Sequence, residues 1–207
     1  VDKLLYPYIP PDYKVPFLHI GTDKQLFLDN FILDHLEGVE RVFPKPERTP
    51  EPIISTRELP WERSAAKGYF SYWAFSVSAV KDPDDGKFKM WYIVDRETFG
   101  DKRTLCYAEG TDPLHWEKPL SENCIPFEEH KSTNIVNDTQ GENIALALNH
   151  DSRDKTRTYL MNQQNVFRDS SDGLRWTMVN QGTSYRQHHY QRTIWDESIA
   201  KWIFYSL

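Results

Sequence analysis

A short order of elements recurs along this sequence, and it constrains the fold more than any other feature. Phe75-Ser76-Val77-Ser78-Ala79-Val80 alternates apolar and polar residues as a half-buried strand does. Lys81-Asp82-Pro83-Asp84-Asp85-Gly86 follows, built from residues that favour tight turns. Lys87 to Val94 reads as a second strand and Thr104 to Glu109 as a third. Thr111-Asp112-Pro113-Leu114-His115-Trp116 reads as a turn leading into a short fourth strand. The order then returns. Asn143 to Leu148, Thr158 to Met161 and Asn165 to Arg168 read as strands, and Asn149 to Asp154 as the acidic turn. Ser171-Asp172-Gly173-Leu174-Arg175-Trp176 matches the earlier Asp112 to Trp116 turn. A third copy starts at Arg192-Thr193-Ile194-Trp195, turns at Asp196-Glu197-Ser198 and restarts at Lys201 to Tyr205.

Repeated units of antiparallel strands at this spacing are the signature of propeller blades. A plain β-sandwich of hairpins has no reason to repeat one turn at one phase. The expected fold is therefore all-β, a β-propeller of which the chain covers about two and a half blades. The expected blades are 66–119, 130–180 and a truncated 185–207, within a domain spanning 25–207. Residues 1–24, rich in Pro and Tyr, read as an extended arm. Leu207 falls inside a strand, so the ring is expected to be incomplete and its remaining blades are an expected partner. Recurrence marks Asp85, Asp151 and Asp196 as turn residues and Trp91, Trp116, Trp176 and Trp202 as core.

Composition removes several classes of function. Hydrophobic residues make up 39% and charged residues 27% of 207, a globular balance. The net charge of -6 comes with acids and bases interspersed, so no basic face for nucleic acid is expected. No apolar run reaches the ~18 residues of a membrane span. Cys106 and Cys124 have no metal-type spacing and cannot form a disulfide framework. No phosphate-cradling loop, nucleophile elbow or zinc helix motif occurs. No cofactor and no metal are expected. A periplasmic or secreted location is favoured over a cytoplasmic one.

Several segments resemble one bacterial family. They are Leu26-Phe27-Leu28-Asp29-Asn30-Phe31-Ile32-Leu33, Gly86 to Tyr92, Asp112 to Pro119, Thr133 to Val136, Asp172 to Thr177 and Trp195-Asp196. In order and spacing they resemble the five-bladed propeller proteins similar to invertase-like and arabinanase-like glycoside hydrolases. The resemblance runs from about Leu26 onward. It implies a five-bladed ring with a central funnel, and acidic residues at the funnel mouth from several blades. Two carboxyls about 5–9.5 Å apart would then cleave a glycosidic bond, the distance deciding retention or inversion.

The resemblance makes Asp29, after the first apolar run, the candidate first carboxylate, and Asp138 a candidate acid from the second blade. Both types also occur as ordinary turn residues. Asn134 and Asn137 precede the next inner strand, where the funnel would be lined. Tyr185-Arg186-Gln187-His188-His189-Tyr190-Gln191-Arg192 is the densest polar and aromatic cluster. Gln187, His188, His189 and Arg192 are candidate sugar contacts, although adjacent histidines in a strand face opposite ways. The family often has an Asp near position 188, where this chain has His188, and that departure weakens ordinary two-carboxylate hydrolysis. Trp73 and Glu62 complete the candidate contacts, with Trp61, Tyr69 and Tyr72 as stacking or packing residues. Three functions follow: a glycoside hydrolase acting on a poly- or oligosaccharide, a non-catalytic carbohydrate-binding propeller, or a protein-interaction propeller.

Overall fold

The computed structural model describes residues 22, 35, 37–62, 74–95, 103–139, 144–148, 158–163, 166–181, 191–196, 199 and 201–206. The chain divides into two units, Val1–Arg48 and Thr49–Leu207. In the first unit, the described residues from 37 to 48 are exposed and carry no helix or strand. All the regular structure described below belongs to the second unit. It is all-β apart from one short 3-10 turn, Pro60–Glu62. None of the described helical segments is long and apolar enough to cross a membrane.

The first sheet is an antiparallel meander of β1 (Ala74–Lys81), β2 (Phe88–Asp95), β3 (Arg103–Gly110) and β4 (Ile135–Thr139). The second repeats that order with β5 (Ala145–Leu148), β6 (Tyr159–Gln163), β7 (Val166–Ser170) and β8 (Thr177–Gln181). A hairpin of β9 (Gln191–Asp196) and β10 (Lys201–Ser206) follows. The first strands of successive sheets lie together, β5 touching both β1 and β9. No closed sheet occurs among the described residues.

The β1–β2 turn forms as its residues dictate. Asp82 N–H donates to Lys87 O at 2.8 Å, and Gly86 N–H donates to Asp82 O at 2.9 Å. Gly86 sits at φ 73°, open to glycine at little steric cost. Strands β2 and β3 are covered on both faces, so both read as nearly continuous apolar runs. Successive strand residues point to opposite faces. Met90, Tyr92, Val94, Cys106, Ala108 and Ile135 pack with Trp61 on one face. Trp91, Ile93, Leu105, Tyr107 and Val136 pack on the other against Ile144, Leu146, Tyr159 and Met161 of the second sheet, together with Cys124. The two thiols, neither in a disulfide, are buried in the cores on opposite faces of the first sheet.

The fourth strand differs from the sequence expectation. It is Ile135–Thr139, which the sequence suggests as a loop leading into the next blade, and not a strand beginning near Trp116. The reason is local. The Asp112 carboxylate accepts the N–H groups of Leu114 and His115 at 2.8 and 2.9 Å, which takes them away from any ladder. Only Glu117 rejoins the sheet, as a single bridge to Glu109. The chain then folds back through a Ser121–Thr133 bridge and delivers Ile135 and Val136 into the two cores. The first sheet therefore spans Ala74–Thr139, beyond the expected limit at 119, and Asn137 and Asp138 belong to it.

The two sheets are joined by the second copy of the recurring turn. Asp172 accepts from Leu174 and Arg175 N–H, both at 2.9 Å, as Asp112 does in the first copy. Gly173 takes φ 76° and turns its carbonyl toward the first sheet. That oxygen accepts from Trp91 Nε1 at 2.8 Å and from Trp176 Nε1 at 3.1 Å. The Trp91 ring lies 5.2 Å from Tyr159 and 6.1 Å from Trp176. Beside it, Lys89 Nζ donates to Asp82 Oδ2 at 2.5 Å and to Tyr159 Oη at 2.8 Å. The Tyr159 hydroxyl also donates to Asp82.

Two predictions follow from this joint. A Cβ on Gly173 would fall 2.6 Å from the Trp91 ring and would sit on a left-handed backbone. Gly173→Ala should therefore lower unfolding free energy by about 1–3 kcal/mol in a denaturant titration. For Asp82, burial alone would raise the carboxyl, but hydrogen bonds from Lys89 and Tyr159 outweigh it and hold the group at about 2. A folded value below the ordinary 3.8 gives stability that is complete above 3.8 and lost as pH falls towards 2. Between pH 5 and pH 2, Asp82→Asn should show a flatter loss of stability than the parent protein.

Candidate functional site

Two of the candidate sugar contacts, Glu62 and Asn134, meet inside the protein. Both are fully buried at 0% exposure. Glu62 ends the Pro60–Glu62 turn, and its Oε2 accepts the N–H groups of Glu58 and Leu59 at 3.1 and 3.0 Å. Its Oε1 accepts from the Tyr92 hydroxyl at 2.8 Å and from Lys118 Nζ at 2.7 Å. Lys118 is itself largely buried, donates to Ser55 O and pairs with Glu58 at 3.0 Å. Asn134 donates to Tyr92 Oη at 3.0 Å and to Tyr107 O at 2.8 Å, and accepts from Trp61 Nε1 at 2.7 Å.

Every polar atom of that Asn134 amide is matched by protein. Burial, with the nearby Cys106 thiol and Glu62 carboxylate, pushes the Tyr92 phenol well above its usual value, so it remains an O–H donor. The network fastens the Ile54–Glu62 segment over the outer face of the first sheet. Neither Glu62 nor Asn134 presents an atom to a ligand in this arrangement. Trp61, the neighbouring candidate for stacking, is core at 1% exposure and lies 6.1 Å from the ring of Phe127.

Asp138 has a different position. It is exposed on β4, where the backbone pairs it with Thr104. Register places it at the end of the first sheet that holds Ala74, Asp95 and Arg103. Asn137, one residue before it, donates to Gln163 Oε1 of the second sheet at 3.0 Å. At the opposite end Asp82 and Lys89 meet Tyr159. The two sheets thus stack with corresponding ends together, and β1 and β5 begin at the Asp138 end. Arg192 lies in β9, opposite Tyr205. Asp29, Trp73, Gln187, His188 and His189 lie outside the described residues.

Among the described residues no three His, Cys, Asp or Glu side chains gather as a metal site. The structure instead brings together residues that no sequence pattern singled out. Lys118 is separated from Glu62 by a long stretch of chain, and Lys89 and Asp82 meet Tyr159 across two sheets. Only the acidic turn at Asp82 gave a sequence signal, and that signal was for a turn. No family profile, no curated protein and no solved structure matches this chain.

The network makes a structural role testable. Glu62→Ala leaves the Lys118 ammonium buried beside only Glu58, and should cost about 3–5 kcal/mol of stability by denaturant unfolding. Tyr92→Phe removes one donor and should cost about 1–2 kcal/mol. Unchanged stability in Glu62→Ala would mean that Glu62 serves something other than the fold.

Proposed function

We propose that this chain is part of a β-propeller that handles carbohydrate, and that it hydrolyses a glycosidic bond by carboxylate acid/base chemistry, with Asp138 as one of the acids. The observation that carries the reading is the stacking of two four-stranded meanders with corresponding ends together, their first strands side by side and the next hairpin continuing from β5 to β9. Sheets stacked in that way fit the blades of a ring, whose first strands would line a funnel. In this reading Asp138 is the second-blade acid of the sequence analysis reassigned to the edge of the first blade. Asp29, outside the described residues, is the first carboxylate that the resemblance implies. Gln187, His188, His189 and Arg192, which lead into or begin β9, supply sugar contacts. Trp73, immediately before β1, supplies a stacking face. Glu62 and Asn134 hold the blade together and take no part.

A non-catalytic carbohydrate-binding propeller is the second reading, and His188 at the position of an expected acid is what favours it. Both are tested by one screen of the protein against aryl glycosides and polysaccharides, with Asp29→Asn and Asp138→Asn alongside. The hydrolase reading expects sugar release that falls by about 10²–10⁴-fold in each variant, the range of a lost acid or base. Binding of glycan without release in any of the three proteins would move the assignment to the binding propeller. Neither binding nor release would end both.

A further inference from the structure

On the face of the second sheet that meets the first, two buried donors have nothing to donate to. Gln163 is 3% exposed, and its Oε1 accepts from Asn137 across the sheet interface. With the amide in that orientation, Nε2 points elsewhere, buried and without an acceptor. The Nη1 of Arg168 is also buried and without an acceptor. Register places the two side chains together. Met161 pairs with Arg168 and Gln163 pairs with Val166, so Gln163 and Arg168 are diagonal neighbours on one face of the second sheet. Such neighbours are about 7–8 Å apart at the backbone, within reach of long side chains. It is the face that carries Tyr159 and Met161 into the core shared with the first sheet.

The two donors differ in charge, and the charge decides which partner suits them. A buried amide N–H left unmade is costly, and a covered N–H of a half-buried guanidinium such as that of Arg168 is costly as well. Burial lowers the affinity of Arg168 for its proton, and among the described residues no carboxylate forms an ion pair with it to offset that loss. Water would satisfy the hydrogen bonds alone, whereas an anion would satisfy them and pair with the charge. Both missing partners are acceptors, and beside a guanidinium a negative one gains most. Arg103, on the facing side of the first sheet, has interactions of its own and is not part of this site.

We propose that Gln163 and Arg168 form a site between the first two sheets for an oxyanion, a carboxylate or a sulfate group. Arginine offers a planar fork that matches the paired oxygens of either group, and the amide N–H adds a third, fixed donor. The anion is either free or carried on a sugar as an acid or sulfate ester. The site does not depend on the hydrolase reading, because its residues are separate from Asp29 and Asp138.

Calorimetric titration of the whole chain with sodium sulfate, sodium glucuronate and glucose, at matched ionic strength, tests this. Sulfate and glucuronate should saturate and glucose should not. Equal affinity for the two anions marks a free oxyanion, and tighter glucuronate marks a sugar-borne one. Arg168→Leu should weaken either anion by about tenfold or more, as expected for a lost charge-assisted bond. Gln163→Glu places a carboxylate beside Arg168 in the same position. It should abolish anion binding and raise the thermal midpoint, and its folding is checked by the same melt. The proposal fails if neither anion saturates, or if Arg168→Leu binds them as the parent does. It also fails if Gln163→Glu lowers the midpoint while leaving binding intact.

Discussion

The indole of Trp91 is where the first two sheets become one structure. It is fully buried, and its ring meets Tyr107 in its own sheet and Tyr159 and Trp176 of the next segment in tilted and edge-on contacts. Truncating such a residue typically costs about 3–5 kcal/mol. Burial also obliges its N–H to find an acceptor, and the acceptor is Gly173 O. That one bond explains much of the local chemistry around it. The carbonyl points inward because Gly173 adopts a left-handed backbone, and the turn around it is tied by Asp172 and by the Ser170 hydroxyl, which accepts from Gly173 N–H at 2.8 Å. What reads in the sequence as a decorative repeat is a device for presenting one oxygen.

The polar groups at the two ends of this interface are finished to different degrees. At one end Asp82, Lys89 and Tyr159 satisfy one another, and Asp85 adds a second carboxylate to Lys89 at 2.9 Å. Burial opposes charge on Lys89, yet its three acceptors raise its pKa. At the other end Asn137 and Gln163 make a single bond and leave donors over.

Strands β2, β3, β6 and β7 were legible because their residues are continuous apolar or alternating runs bounded by Asp, Pro and Gly. The turns at Asp82 and Asp172 were legible for the same reason. Strand β4 was not, because Asn134, Asn137, Asp138 and Thr139 look like loop, and only the burial of Ile135 and Val136 on opposite faces reveals it as strand. Glu62 and Asn134 were legible as unusual but not as structural. Their partners Lys118, Tyr92 and Trp61 come from distant parts of the chain, and nothing in local pattern predicts which carboxylate a buried lysine will find. Gln163 and Arg168 carried no signal at all, since their significance lies in what surrounds them.

The placement of the two thiols gives the chain a pair of built-in reporters. Cys106 belongs to the core beneath the Trp61 segment and Cys124 to the core between the sheets. Burial, aided by the charge of Asp172, pushes the Cys124 thiol up to about 11, so it is protonated and inert while covered. An oxidant or alkylating reagent reaches either sulfur only when the layer above it lifts. The order in which the two sulfurs react would therefore record which layer comes off first: the peripheral segment held by Glu62, or the neighbouring sheet held by Trp91.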